Sequence, residues 1–130
     1  MSNNNSINTT GAPIKIDPDE FSVAEKEAAK AGLNFTLAFR KPFEYNGKQY
    51  TELNFEWDNL TGRDALNIES EMARLGKALI APAFSGEYLI RMAAKACIEK
   101  VGSDAFEAMP IIEYNKIRSA ARSFLLKSEL

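Results

Sequence analysis

Between residues 33 and 57 the apolar side chains return on every second position, a period that only extended backbone presents on one face. Leu33, Phe35, Leu37 and Phe39 alternate with Asn34, Thr36, Ala38 and Arg40. Beyond Pro42 and Asn46-Gly47, Leu53, Phe55 and Trp57 alternate with Glu52, Asn54 and Glu56. The pattern predicts an antiparallel hairpin over 33–57 with one apolar and one wet face. Opposed residues of an antiparallel pair share a face, which constrains the register. A two-residue Asn46-Gly47 loop sets Phe39 against Asn54 and Leu37 against Glu56, apolar against polar. A three-residue Tyr45-Asn46-Gly47 loop instead pairs Phe39 with Leu53, Leu37 with Phe55 and Phe35 with Trp57, with Gly47 at positive φ as a bulge. A bulge at Pro42, which has no amide hydrogen to give, is the other device that saves the register.

The remainder reads as helices. Residues 17–32 form an N-terminal helix or arm: Asp17 is placed to cap it, Pro18 takes its first position and Gly32 ends it. Its apolar stripe of Phe21, Ala24, Ala28 and Ala31 is thin, so it either docks on the domain or orders on a partner. The first 16 residues, rich in Asn, Ser and Thr before Ile14-Lys15-Ile16, read as a disordered or extended polar tail. Thr61 and Asp64 have the spacing of a capping box and open a helix over 62–79, with Ala65, Ile68, Met72, Leu75 and Leu79 toward the core. A second helix, 86–101, carries one charged line of Glu87, Arg91, Lys95 and Glu99 and is apolar elsewhere. It must be covered on more than one side, by the rest of the chain or by a neighbouring subunit. Pro110 introduces a last helix, 111–127, with Tyr114, Ile117, Ala121, Phe124 and Leu125 in a stripe. The fold class is therefore α+β: a hairpin packed on a bundle of about three helices, with an extra N-terminal helix, in one domain over 33–127.

Much chemistry is missing. The 130 residues contain no histidine, so His-centred triads and His metal sites are excluded. Cys97 is the only cysteine and falls in an apolar helix. The glycines are isolated, so there is no phosphate-cradling loop. Sixteen basic against 18 acidic residues give no electrostatic footprint for nucleic acid. The polar N-terminus lacks the layout of a signal peptide, and the longest apolar run, residues 78–84, is broken by Pro82. These readings predict a non-enzymatic cytoplasmic protein without cofactor, metal, membrane or nucleic-acid partner. What is left is surface: the hairpin tip with Phe43, Tyr45 and Tyr50, and the apolar loop with Ile80, Pro82 and Phe84, are candidate partner contacts. Ordinary turn and core packing is the competing account of each.

The order of a strand ending at Pro42, a turn at Gly47, the strand Tyr50-Thr51-Glu52-Leu53 and Thr61-Gly62-Arg63-Asp64 heading an all-helical remainder resembles the small tail assembly chaperones of long-tailed bacteriophages and related contractile particles. The resemblance spans residues 33–126 and leaves the first 32 outside. It implies a non-catalytic protein that binds the tape-measure protein in the bacterial host cytoplasm and keeps it soluble during tail assembly. It also implies homo-oligomers, and a longer frameshifted form that recruits the tail-tube protein. Two competitors are a structural or adaptor component of a phage or bacteriocin tail, and a small regulatory protein-binding module.

Overall fold

Asn46 and Gly47 both adopt positive φ, 51° and 78°. This is the two-residue turn whose twist matches that of paired strands, and it suits an Asn-Gly pair. In the computed structural model it joins β1 (Asn34–Tyr45) to β2 (Lys48–Glu56) in a two-stranded antiparallel sheet. Residues 18–30 and 34–129 are described, with backbone alone for 25–30. The expected polar tail over 1–16, the cap at Asp17, the helix stop at Gly32 and the strand position of Leu33 lie outside them.

The register corrects the three-residue loop. Tyr45 faces Lys48 and Phe43 faces Tyr50, whereas Leu37 faces Leu53 and Phe35 faces Phe55. Between Ala38 and Phe43 five steps along β1 are matched by two along β2, so β1 carries three extra residues across Pro42. The tight turn therefore forms, and the irregularity lies where proline cannot serve the ladder. The pairing sits two residues from the expected one, an even slip, so the faces keep their assignment. Leu37, Leu53 and Phe55 are buried while Asn34, Thr36, Ala38 and Glu52 are exposed. Trp57 does not pair with Phe35; it is buried in a 3-10 turn, Trp57–Asn59, just past β2.

Around this sheet lie α1 (Pro18–Lys30), α2 (Gly62–Arg74), α3 (Gly86–Ala96), α4 (Ser103–Ala108) and α5 (Ile111–Ser128). The capping box at α2 is formed: the Asp64 amide donates to Thr61 Oγ1 at 3.3 Å and the Thr61 amide to Asp64 Oδ2 at 2.9 Å. Such a pair is worth about 1 kcal/mol. Two helices are shorter than the periodicity predicts. α2 stops before Leu75 because Gly76 turns into the left-handed region at φ 70°, letting the amides of Gly76 and Lys77 reach the carbonyls of Ala73 and Met72. Leu75 is accordingly more than half exposed rather than in the core. α3 stops at Ala96 because the next residues complete the sheet edge. Cys97 bridges Phe55, and the Ile98 amide donates to the Asn54 carbonyl at 2.8 Å. An unpaired strand edge offers backbone groups that a helix end can satisfy. Lys100, at φ 63°, turns the chain away again.

The core is one aromatic stack surrounded by aliphatics. Phe35, Phe55, Trp57 and Phe124 stack in succession at centroid distances of 6.0, 5.3 and 5.9 Å, and Phe106 of α4 meets Phe55 at 6.0 Å. Ile68 and Met72 of α2, Leu89 and Ala93 of α3 and Ile117 of α5 close around it. Burying each of the larger side chains contributes about 1.5–3 kcal/mol. The charged line of α3 is covered by this same chain. Arg91 bonds Glu87 at 3.2 Å and Glu71 of α2 at 3.4 Å, with Lys95 3.8 Å from Glu71. Glu99 falls beyond the end of the helix. A second small cluster holds α1 against α5: Ala24 and Leu126 are buried, with Ala83 and Phe84 packed on them. No helix among the described residues is long and apolar enough to cross a membrane.

Candidate functional site

The six residues singled out from the sequence fall into two separate groups. At the hairpin tip, Phe43, Tyr45 and Tyr50 are each half-buried and packed against the core. Phe43 stacks on Phe39 of the bulge at 5.4 Å. The Tyr45 hydroxyl donates to the Asp104 carboxylate at 3.0 Å, tying the tip to α4. Lys48 lies 5.2 Å from the centre of the Tyr50 ring. The second group follows α2. Ile80 is 84% exposed, the most exposed large apolar side chain among the described residues. Pro82 and Phe84 bound a 3-10 turn, Pro82–Phe84, that brings Phe84 onto Phe21 of α1 at 6.1 Å, with the Arg122 guanidinium 5.6 Å from its ring. The structure thus gives Tyr45 and Phe84 internal partners and leaves Ile80 projecting.

Two polar arrangements were not read from the sequence. Arg40, in the β1 bulge, donates from Nε to Glu113 Oε1 at 2.7 Å. Glu113 is 2% exposed, and its Oε2 has no partner. The signal was there: Glu113 stands four residues before Ile117 and eight before Ala121, on the buried stripe of α5. The other arrangement ties the end of α3 to β2. Glu99 accepts from the Asn54 amide and from Asn54 Nδ2, both at 2.8 Å, and the Cys97 thiol lies 3.5 Å from Oε1. Burial works to raise the Glu99 carboxyl, but these donors outweigh it and hold the group below the ordinary glutamate value. Burial pushes the Cys97 thiol up, the opposite of what a nucleophile needs. Among the described residues no cluster of His, Cys, Asp or Glu is arranged to hold a metal ion.

A third feature lies where α2, α3 and α5 meet. A cleft of about 210 Å³ is lined mainly by apolar groups, including Leu60, Ala65, Ile68, Met92, Phe124 and Leu125. Thr61, Asp64, Tyr88 and Ser128 complete it, and no Lys or Arg lines it. Burial first, then the carboxylates of Glu69 and Glu129, raise the Tyr88 phenol above its usual value. Periodicity could not show this cleft, because it depends on how three helices meet. Four of its residues, Ala65, Ile68, Phe124 and Leu125, are ones the sequence assigns to apolar helix stripes.

No family model, curated protein or solved structure matches this chain.

Proposed function

We propose that this chain is a non-catalytic tail assembly chaperone of a bacteriophage or related contractile particle, acting in the cytoplasm of the bacterial host. It binds the tape-measure protein, a long helical client, and keeps it soluble until tail-tube subunits assemble around it. The observation that carries the reading is Ile80, a large aliphatic side chain 84% exposed within the apolar run of residues 78–84. A large aliphatic side chain held out in solvent supports contact with another protein, and Leu75, 57% exposed five residues earlier, adds to it. The resemblance supports it further, because its residues sit at the joints of the fold: Pro42 in the bulge, Gly47 in the turn, Thr61 and Asp64 in the capping box. Several copies along one client would add avidity to weak single contacts. A longer frameshifted form would recruit the tail-tube protein.

Co-expression with the large helical protein encoded beside its gene tests the reading. A soluble complex of many copies, measured by light scattering and pull-down, is the expected result, with the client insoluble alone. A client that is soluble by itself and does not associate removes the assignment. Ile80→Asp is expected to weaken the complex about tenfold while thermal unfolding stays put, since exposed substitutions usually change stability by under about 0.5 kcal/mol. A loss of stability in step with binding would return Ile80 to the packing of the fold.

A further inference from the structure

The cleft between α2, α3 and α5 has the size and lining of a receptor for side chains. Small-molecule sites run from about 300 to 1,000 Å³. At about 210 Å³ this one is smaller, and its walls are aliphatic and aromatic. Three helices border it, so a fourth laid along it would set apolar anchors at helical spacing into the opening. The rim decides the charge of that helix. Asp64 is part of the lining, and Glu69 on α2 and Glu129 at the end of α5 both act electrostatically on Tyr88. The carbonyl end of α5 adds partial negative charge on the same side. The lining itself carries no Lys or Arg to offset Asp64.

We propose that this cleft seats a basic amphipathic helix of the client, with Leu-like side chains in the opening and Lys or Arg against Asp64, Glu69 and Glu129. The inference deepens the chaperone reading and rests on it for the identity of the partner. Like-charged helices are rejected by the same rim, which selects one segment of a long helical protein over others.

Trp57 reports on the cleft through Phe124. It is the only tryptophan in the chain, and its ring lies 5.9 Å from Phe124, which lines the opening. The full-length protein is titrated with a synthetic helix of roughly 15 residues, long enough to fold on contact, carrying Leu at i, i+3, i+4 and i+7 and Lys on both flanks. A second peptide carries Glu in place of Lys. We expect Trp57 emission to respond to the Lys peptide and the Glu peptide to bind at least about tenfold more weakly. Glu69→Lys combined with Glu129→Lys changes exposed residues only and should invert that preference. Ser128→Phe, at an exposed rim position, should block both peptides while the protein stays folded by circular dichroism. Equal binding of the two peptides, no binding of the Lys peptide, or binding that survives Ser128→Phe overturns the proposal. A wild-type dimer that Ser128→Phe splits overturns it too, and gives the cleft to a second copy. Client solubilised equally by wild type and Ser128→Phe removes the cleft and leaves the chaperone reading standing. Lys-peptide binding beside a client that never associates does the reverse.

Discussion

Glu99 shows how far a residue can sit from its apparent place in a pattern. Its spacing from Glu87, Arg91 and Lys95 puts it on the charged line of a helix, yet α3 ends at Ala96 and Glu99 reaches across to β2. The period was right for three of the four; what it could not include was the offer of hydrogen bonds from a sheet edge, which is tertiary. Glu113 was missed for the opposite reason. It lies on the apolar stripe, and the Arg40 that makes its burial tolerable comes from a bulge 73 residues away. For Glu99 the consequence is measurable. Its carboxyl is held below the ordinary value in the folded chain, so the unfolded chain binds the proton more readily. The stability it contributes is present above the unfolded value, about pH 4, and is lost as pH falls from there through the lower folded value. Replacing it by Ala removes acceptors for two Asn54 donors and should cost about 2 kcal/mol at neutral pH. Urea unfolding of wild type and Glu99→Ala at pH 7 and in steps below pH 5 checks both statements, the gap between them narrowing with acid. A constant gap would mean that the cost comes from packing.

Among the elements, the hairpin was the most legible, because a two-residue period with one buried face leaves little freedom. Its register was not, because the number of residues in a bulge leaves no trace in alternation as long as the faces are kept. In the inner half, Asn34 to Ala38, they are kept; beyond the three extra residues, an odd number, Phe43 and Tyr45 pair with Tyr50 and Lys48, which share the parity of the exposed Glu52. Helix ends divided in the same way. The start of α2 was readable from Thr61 and Asp64, whereas its end was set by Gly76, a residue compatible with either a helix interior or a stop. The turn itself can be tested. Gly47 stands at φ 78°, with open space around the position of a side chain. Gly47→Ala therefore meets no clash and registers only the backbone cost of a left-handed L-residue, about 1 kcal/mol. Gly62, at the first position of α2, has equally open surroundings and no positive φ, so Gly62→Ala should be neutral or slightly stabilising. Denaturant midpoints of the two variants against wild type separate turn conformation from a general effect of adding a methyl group. Equal shifts would argue that the type I′ turn does not govern hairpin stability.

At the scale of the molecule, α1 stands apart from the rest. The main core gathers both strands, α2, α3, α4 and α5 around one aromatic stack, while among its described side chains α1 is held by the smaller cluster of Ala24, Leu126, Ala83 and Phe84. Its thin stripe left docking and partner-induced ordering both open; along α5 it docks, with Phe21 stacked on Phe84 and still 38% exposed. The contact also covers Phe84, one of the residues proposed from the sequence to meet a partner, while Ile80 four residues earlier stays in solvent. A helix whose described side chains dock only through Ala24 and Phe21 should detach without unfolding the domain. Ala24→Asp places a carboxylate between Phe84 and Leu126, where it has no apolar substitute for the lost contact and a desolvation cost of at least about 1–3 kcal/mol. Among its described side chains α1 brings one buried alanine methyl and a half-exposed aromatic stack to this contact, so the cost falls first on the docking equilibrium. We expect protease cleavage within 18–30 to rise sharply in this variant, while Trp57 emission and the main thermal transition shift by no more than a few degrees. Binding of a hydrophobic dye should increase, because Phe84 and Ala83 lose their cover. If the variant instead unfolds as a whole at lower temperature, α1 belongs to the cooperative core, and Phe84 is a packing residue that is never offered to a partner.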